Sequence, residues 1–398
     1  MNRGVSGRMS DERELELYFH IPFCVKKCLY CDFLSAPADA GTRETYMKAL
    51  LAEVEKKAGG YRDYRVSSVF VGGGTPSVVE PHWMRRLLET VRECFIVSED
   101  AEITVEVNPG TVDRDALSQY RQAGVNRLSI GLQSADDGEL RALGRIHTYE
   151  QFLATYDAAV SSGFVNINVD LMSALPGQSL DSYRRTLEKV LALEPRPVHI
   201  SAYSLILEEG TPLYRMAQEG RLNLPDEDTD REMYHETKRI LSQAGYIRYE
   251  ISNYAIEGFS CRHNCGYWTR RDYLGFGVGA ASLFDNIRYK NTCDINRYIA
   301  DAEVCREDVQ VLSREEQMEE FMFLGLRLTE GVAPAEFERC FDCSLEEVYG
   351  DVIERNIRQG LLHRLKHREK DGTEGERLAL TDLGLDVSNY VMRQFLLS

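Results

Sequence analysis

HIPFCVKKCLYCDF, residues 20–33, places Cys24, Cys28 and Cys31 in a C-x3-C-x2-C spacing directly after a short β-type run, LYF at 17–19. Thiolates are the soft ligands that iron–sulfur clusters take, and three cysteines in one loop can wrap one cluster. Three protein ligands leave the fourth iron of a [4Fe–4S] cluster open to a small chelating molecule. A structural zinc ion is the alternative. It takes four ligands, usually as two pairs, and His20 is the neighbour that could complete the set. The spacing alone leaves both open.

Outward from this loop, β-type runs recur: SSVFVG (67–72), EITVEV (102–107), RLSIGL (127–132), NINVDL (166–171) and HISAYSL (199–205). Between them lie helix-like stretches at 45–57, 81–94, 113–123, 149–162 and 180–193. In the last, Tyr183, Leu187, Val190 and Leu191 fall on one helical face. Strands alternating with helices at this interval predict parallel βαβ units. Six units make a partial barrel or an open doubly wound sheet, and spacing does not choose between them.

Past residue 206 the rhythm breaks into a mixed region carrying RHNCGYW (262–268) and GFGVGAAS (275–282). From Ser313 three helices are predicted, over 315–328, 334–340 and 345–359, the third with a stripe of Leu345, Val348, Tyr349, Val352 and Ile357. LLHRL (361–365), a charged loop with Asp371–Gly372 and RLALT (377–381) then form a two-stranded wing. The division is a polar tail (1–14), a barrel region (15–240), a connecting region (241–312) and a winged-helix-like α+β module (313–398). The module carries 11 Lys/Arg against 18 Asp/Glu, a net of −7, which favours a lid or docking role over groove reading.

The 398 residues suffice for two or three domains, and 43% apolar with 28% charged is the balance of a globular protein. The net charge of −17 argues against a sequence-independent grip on nucleic acid, and no nucleic-acid partner is expected. Ten cysteines with no apolar leader in the first 16 residues point to a cytoplasmic chain rather than a disulfide framework.

The cysteine loop, followed after the next strand by GGGTP (72–76), resembles the radical S-adenosylmethionine superfamily, and within it the haem-chaperone branch of the coproporphyrinogen-dehydrogenase group. The resemblance runs from about Leu15 to the C-terminus. It implies a partial (β/α)6 barrel, a [4Fe–4S] cluster on Cys24, Cys28 and Cys31, and S-adenosylmethionine on its open iron. By position it also implies cofactor contacts for Tyr18, Phe33, Gly73, Gly74, Thr75, Glu106, Gln133, Arg145 and Asp170. Arg145 suits a carboxylate. Read without the family, most of these are polar residues at strand C-terminal ends, where parallel α/β folds bind ligands.

His263 to Trp268 matches the HNxxYW pattern of the chaperone branch, a candidate haem contact with His263 as ligand and Cys261 or Cys265 as alternatives. The bland reading is a hydrogen-bonded core histidine. The related decarboxylases carry another cysteine two residues beyond the third, where Phe33 stands here, and a longer N-terminal arm. The expectation is therefore a haem chaperone delivering to a membrane-bound respiratory haem protein, peripheral to the membrane during delivery and able to form a homodimer. An oxygen-independent coproporphyrinogen III dehydrogenase is the alternative.

Overall fold

The computed structural model describes residues 13–301, 306–368 and 374–397. The predicted polar tail and the Asp371–Gly372 loop lie almost wholly outside the described residues. Six strands, β1 (Arg13–Ile21), β2 (Tyr64–Gly73), β3 (Ile96–Val107), β4 (Arg127–Gln133), β5 (Asn166–Ser173) and β6 (His199–Ser204), pair in parallel and in chain order. The expected helices between them are present at Ala40–Lys57, Pro81–Cys94, Arg114–Gln122, Tyr149–Ser161 and Leu180–Leu191. Side-chain caps start four of these helices, from Asp39, Asp113, Thr148 and Ser179, each giving a free backbone N–H an acceptor.

Strand parity sorts this sheet into two chemically different faces. Leu15, Leu17 and Phe19, Val69 and Val71, Val105 and Val107, Leu128 and Ile130, and Val169 and Leu171 are buried in one core with residues of the helices. The alternate positions are mostly polar, Phe70 apart: Glu16, Tyr18 and His20; Ser68; Glu102, Thr104 and Glu106; Arg127 and Ser129; Asn168 and Asp170; His199, Ser201 and Tyr203. A strand buried against helices on one side would tolerate apolar residues on the other, so the polar face marks a lined interior.

The 241–312 segment, expected only to connect, contributes six strands to the same sheet. β7 (Ile247–Arg248) and β8 (Asn253–Ala255) extend it beyond β6. β9 (Tyr273–Phe276) pairs in parallel with β1, and β10 (Ala281–Phe284), β11 (Ile287–Asn291) and β12 (Arg306–Val311) continue antiparallel to the other edge. The sheet thus has twelve strands among the described residues. Glu53, buried in the first helix, holds the added strands. It accepts from Gly277 N (2.8 Å), Asn291 Nδ2 (2.8 Å) and Tyr298 OH (2.5 Å) and pairs with Lys57.

The C-terminal module has helices at Arg314–Gly325, Pro334–Phe341 and Leu345–Arg358, then the hairpin of β13 (Leu362–Arg368) and β14 (Glu374–Leu380). In the third helix Leu345, Tyr349 and Ile353 are the buried stripe. Val348 and Val352, placed on it by sequence, pack only partly against this core. Glu320, itself buried, joins module to sheet by accepting from Arg270 Nε (3.0 Å) and Arg288 Nη1 (2.6 Å). No helix among the described residues is long and apolar enough to cross a membrane.

Candidate cofactor site

The cysteine loop leaves β1 at Ile21 and is stitched to the loop after β2. Gly74 N donates to Ile21 O (2.9 Å) and Thr75 N to Phe23 O (2.7 Å). A Cβ on Gly74 would stand 2.6 Å from Phe23 O and 2.9 Å from Ser35 Cβ, so only glycine allows this approach. Gly73 has φ +114 and lies over the His20 ring, whose Cε1 would be 2.6 Å from an added Cβ. His20 Nε2 must donate to Leu34 O (2.9 Å), so its Nδ1 accepts from Tyr18 OH (3.0 Å). This fixes one imidazole tautomer and orients Tyr18.

Cys24, Cys28 and Cys31 are half-buried, unpaired thiols on this loop. Burial pushes the Cys24 and Cys31 thiols up, and the Lys27 ammonium opposes it at both. Arg145 Nη1 lies 3.9 Å from Cys28 Sγ, while its Nη2 donates to Asn108 Oδ1 (2.9 Å) and Gly131 O (2.6 Å). The Arg145 Nε is buried with no partner, an unused donor at the site. Leu29 anchors the loop by donating to Leu143 O (2.9 Å) and accepting from Leu213 N (2.9 Å). Among the described residues no three His, Cys, Asp or Glu side chains converge on a single ion. The donor set of three free thiols with two adjacent cations suits an anionic thiolate-ligated cluster.

Facing this loop, the C-terminal halves of β3 to β6 bring the predicted polar residues together. Glu106 Oε2 accepts from Gly73 N (3.0 Å), and burial, then the Asp170 charge, pushes its carboxyl up to about 8. Asp170 is also raised by burial, against hydrogen bonds from Asn168 Nδ2 (2.7 Å) and Ser129 Oγ (3.1 Å). Gln133, at φ +69 where the β4–β5 register shifts, accepts from Tyr203 OH (3.2 Å). Thr75 is buried and accepts from Asn108 Nδ2 (2.7 Å). Phe33 stands outside this group at 61% exposure, its carbonyl accepting from Lys27 Nζ (2.8 Å).

Three site residues escaped the sequence reading. Asn108 bridges Arg145 to Thr75. Tyr30 is half-buried beside Arg145, Cys28, Cys31 and Asp170, and desolvation pushes its hydroxyl up to about 12. Tyr203 lies near Asp170, Tyr30 and Arg145. Parity along HISAYS, with His199 and Ser201 inward, was the available signal for Tyr203.

The helix Arg262–Trp268 packs on the opposite, N-terminal half of the polar face. Glu102 Oε2 accepts from Arg262 N (3.1 Å), and its Oε1 from His263 N (3.2 Å) and Cys261 Sγ (3.4 Å). His263 is 1% exposed, with Nδ1 at 2.8 Å from Ser68 Oγ, Nε2 at 3.0 Å from Tyr267 OH and its ring stacked on Phe70. Burial lowers its pKa to about 3. Cys261 is fully buried, and burial raises the Cys265 thiol to about 12. Trp268 carries the Arg327 guanidinium 4.1 Å above its ring. The motif therefore closes one end of the polar interior.

A cysteine loop on a parallel sheet with this strand-end bed defines a radical S-adenosylmethionine protein. Residues 18–190 match the Radical SAM superfamily, and 312–387 match the HemN C-terminal domain. The chain belongs to the HemW family of that superfamily. It is 36% identical over 96% of its length to the heme chaperone HemW of Lactococcus lactis, covering 97% of that protein. It is 40% identical over 267 residues to that of Escherichia coli, 67% of this chain and 69% of that one. The fold matches coproporphyrinogen III oxidase (HemN) of Escherichia coli with a TM-score of 0.82 at 24% identity, covering 97% of this chain and 91% of that one. Membership implies a [4Fe–4S] cluster and S-adenosylmethionine, which the thiols and strand-end residues fit.

Proposed function

We propose that the protein is a haem chaperone that binds haem and passes it to an acceptor, a membrane-bound respiratory haem protein. It works in the cytoplasm and meets the membrane only peripherally, during delivery. Cys24, Cys28 and Cys31 hold the cluster, and cluster binding promotes a homodimer. Bound together, the cluster and S-adenosylmethionine supply one-electron reduction of a sulfonium, a capacity that haem transfer does not itself require.

The residues of the chain account for binding and orientation. Tyr18, fixed by His20, borders the methionine portion of the cofactor. Gly73, Gly74 and Thr75 offer close backbone contact. Arg145 meets a carboxylate, while Glu106, Gln133 and Asp170 take hydroxyl and amino groups as acceptors. The buried Arg145 Nε, left without a partner, is a donor that a bound carboxylate would satisfy, and a buried polar group left unpaired costs about 1–3 kcal/mol. The observation that carries the reading is the three unpaired thiols beside the strand-end bed in a chain of the HemW family.

The test is anaerobic reconstitution of the full chain followed by haem titration and an assay for porphyrinogen oxidation on the same preparation. Expected are four irons per chain, lost in Cys24→Ala, saturable haem uptake, and haem transfer to an apo-acceptor. Vinyl products at enzymatic turnover, or no haem uptake, would overturn the chaperone reading.

A further inference from the structure

Haem ligation needs a neutral imidazole with a nitrogen lone pair free and room beside it for a flat macrocycle. In His20, His199 and His263 both ring nitrogens are already hydrogen-bonded. His147 is 4% exposed with Nε2 on Leu132 O (3.3 Å), and His235 faces the Asp386 carboxylate at 3.4 Å. His263 could reach an iron only by giving up Ser68 or Tyr267 and leaving the interior with its helix.

His363 differs. It is half-buried on β13, lines a cleft of about 780 Å³ between the hairpin and the β7 edge of the sheet, and has no hydrogen-bond partner among the described residues. Clefts of some hundreds of Å³ are those that enclose cofactor-sized ligands.

We propose that haem seats in this cleft with His363 as its axial ligand. The inference rests on the haem reading above and gives that reading its site. Parity places Leu365 on the same face of β13 as His363, and both line the cleft with Leu380. Ile247 from the sheet edge and Leu383 beyond β14 also line it, at 55% and 49% exposure. Two large apolar side chains left in water along the cleft gain when a macrocycle covers them, at about 25 cal/mol per Å² covered. Lys238 lines the same cleft and pairs with Asp382 at 2.5 Å, both with substantial exposure, so a haem propionate can replace Asp382 without stripping a buried ion. A cleft open along one side also leaves part of the macrocycle accessible to an acceptor, as transfer requires. The occupant is a planar, apolar, dianionic metal chelate.

Ferric haem titrated into the full-length chain tests the assignment through the Soret band and the spin state. His363→Ala is expected to weaken binding at least tenfold and abolish the histidine-ligated spectrum, with added imidazole restoring the spectrum. Lys238→Glu is expected to weaken binding several-fold with the ligand spectrum unchanged, and Leu383→Asp to weaken it with the fold intact by thermal midpoint. His263→Ala is expected to keep the ligand spectrum. Wild-type uptake with His363→Ala matching it in affinity and spectrum would overturn the site and leave the chaperone reading standing. A wild-type chain that takes up no haem would remove that reading, and this site with it.

Discussion

Replacing Glu106 by Gln measures what the facing carboxyls of β3 and β5 do to stability. Burial first, and the Asp170 charge second, raise the Glu106 pKa from 4.5 to about 8. The folded chain therefore holds a proton between those values that the unfolded chain has released. The stability linked to that proton is fully present below pH 4.5 and is lost as pH rises through 8. Raising the pKa from 4.5 to about 8 corresponds to roughly 5 kcal/mol. Glu106 keeps partial exposure, and Asp170 draws on the same desolvation, so about half, roughly 2 kcal/mol, belongs to Glu106 alone. Gln cannot ionise, yet still offers an oxygen to Gly73 N. Thermal midpoints of wild type and Glu106→Gln are expected to coincide near pH 5. At pH 9 the variant should melt higher by roughly 2 °C, taking about 2.1 cal/mol/K per residue over the chain. Midpoint curves that stay parallel from pH 5 to 9 would refute the reasoning.

Gly74→Ala forces a methyl to 2.6 Å from a backbone carbonyl that cannot swing aside, costing about 1–3 kcal/mol and lowering the iron retained after reconstitution. Iron analysis and the thermal midpoint check both parts. Glu102→Ala strands the Arg262 and His263 N–H groups, about 3 kcal/mol in all, and hydrogen exchange across 262–268 should quicken selectively. Glu320→Ala leaves Arg270 and Arg288 facing each other without their acceptor, a loss of about 3 kcal/mol. Limited proteolysis near Leu312 should then speed up, and unchanged cleavage would show the junction held by other contacts.

The first six strands and their helices were legible because each carries its own period, whereas the start of the first helix at Ala40, capped by Asp39, lies five residues before the stretch at 45–57. The strand-end residues were found by their place in motifs, and the structure gathers Glu106, Gln133, Arg145 and Asp170 around one interior. What failed depends on long-range contacts. Residues 247–311 form strands of two to six residues whose partners lie far off in the chain, with Glu53 gripping Asn291 across 238 positions. The partner that the hydrogen-bonded reading of His263 requires is Ser68, 195 residues away, which no local reading could name. Tyr30 hid between two cysteines that drew all attention to their spacing.

The helix carrying His263 covers the N-terminal half of the polar face through Glu102 and Ser68. That leaves the strand ends beside the cysteine loop as the side from which a ligand meets Glu106, Arg145 and Asp170. Access and cluster binding therefore share one rim, and a group seated on the thiols narrows the approach to everything behind it.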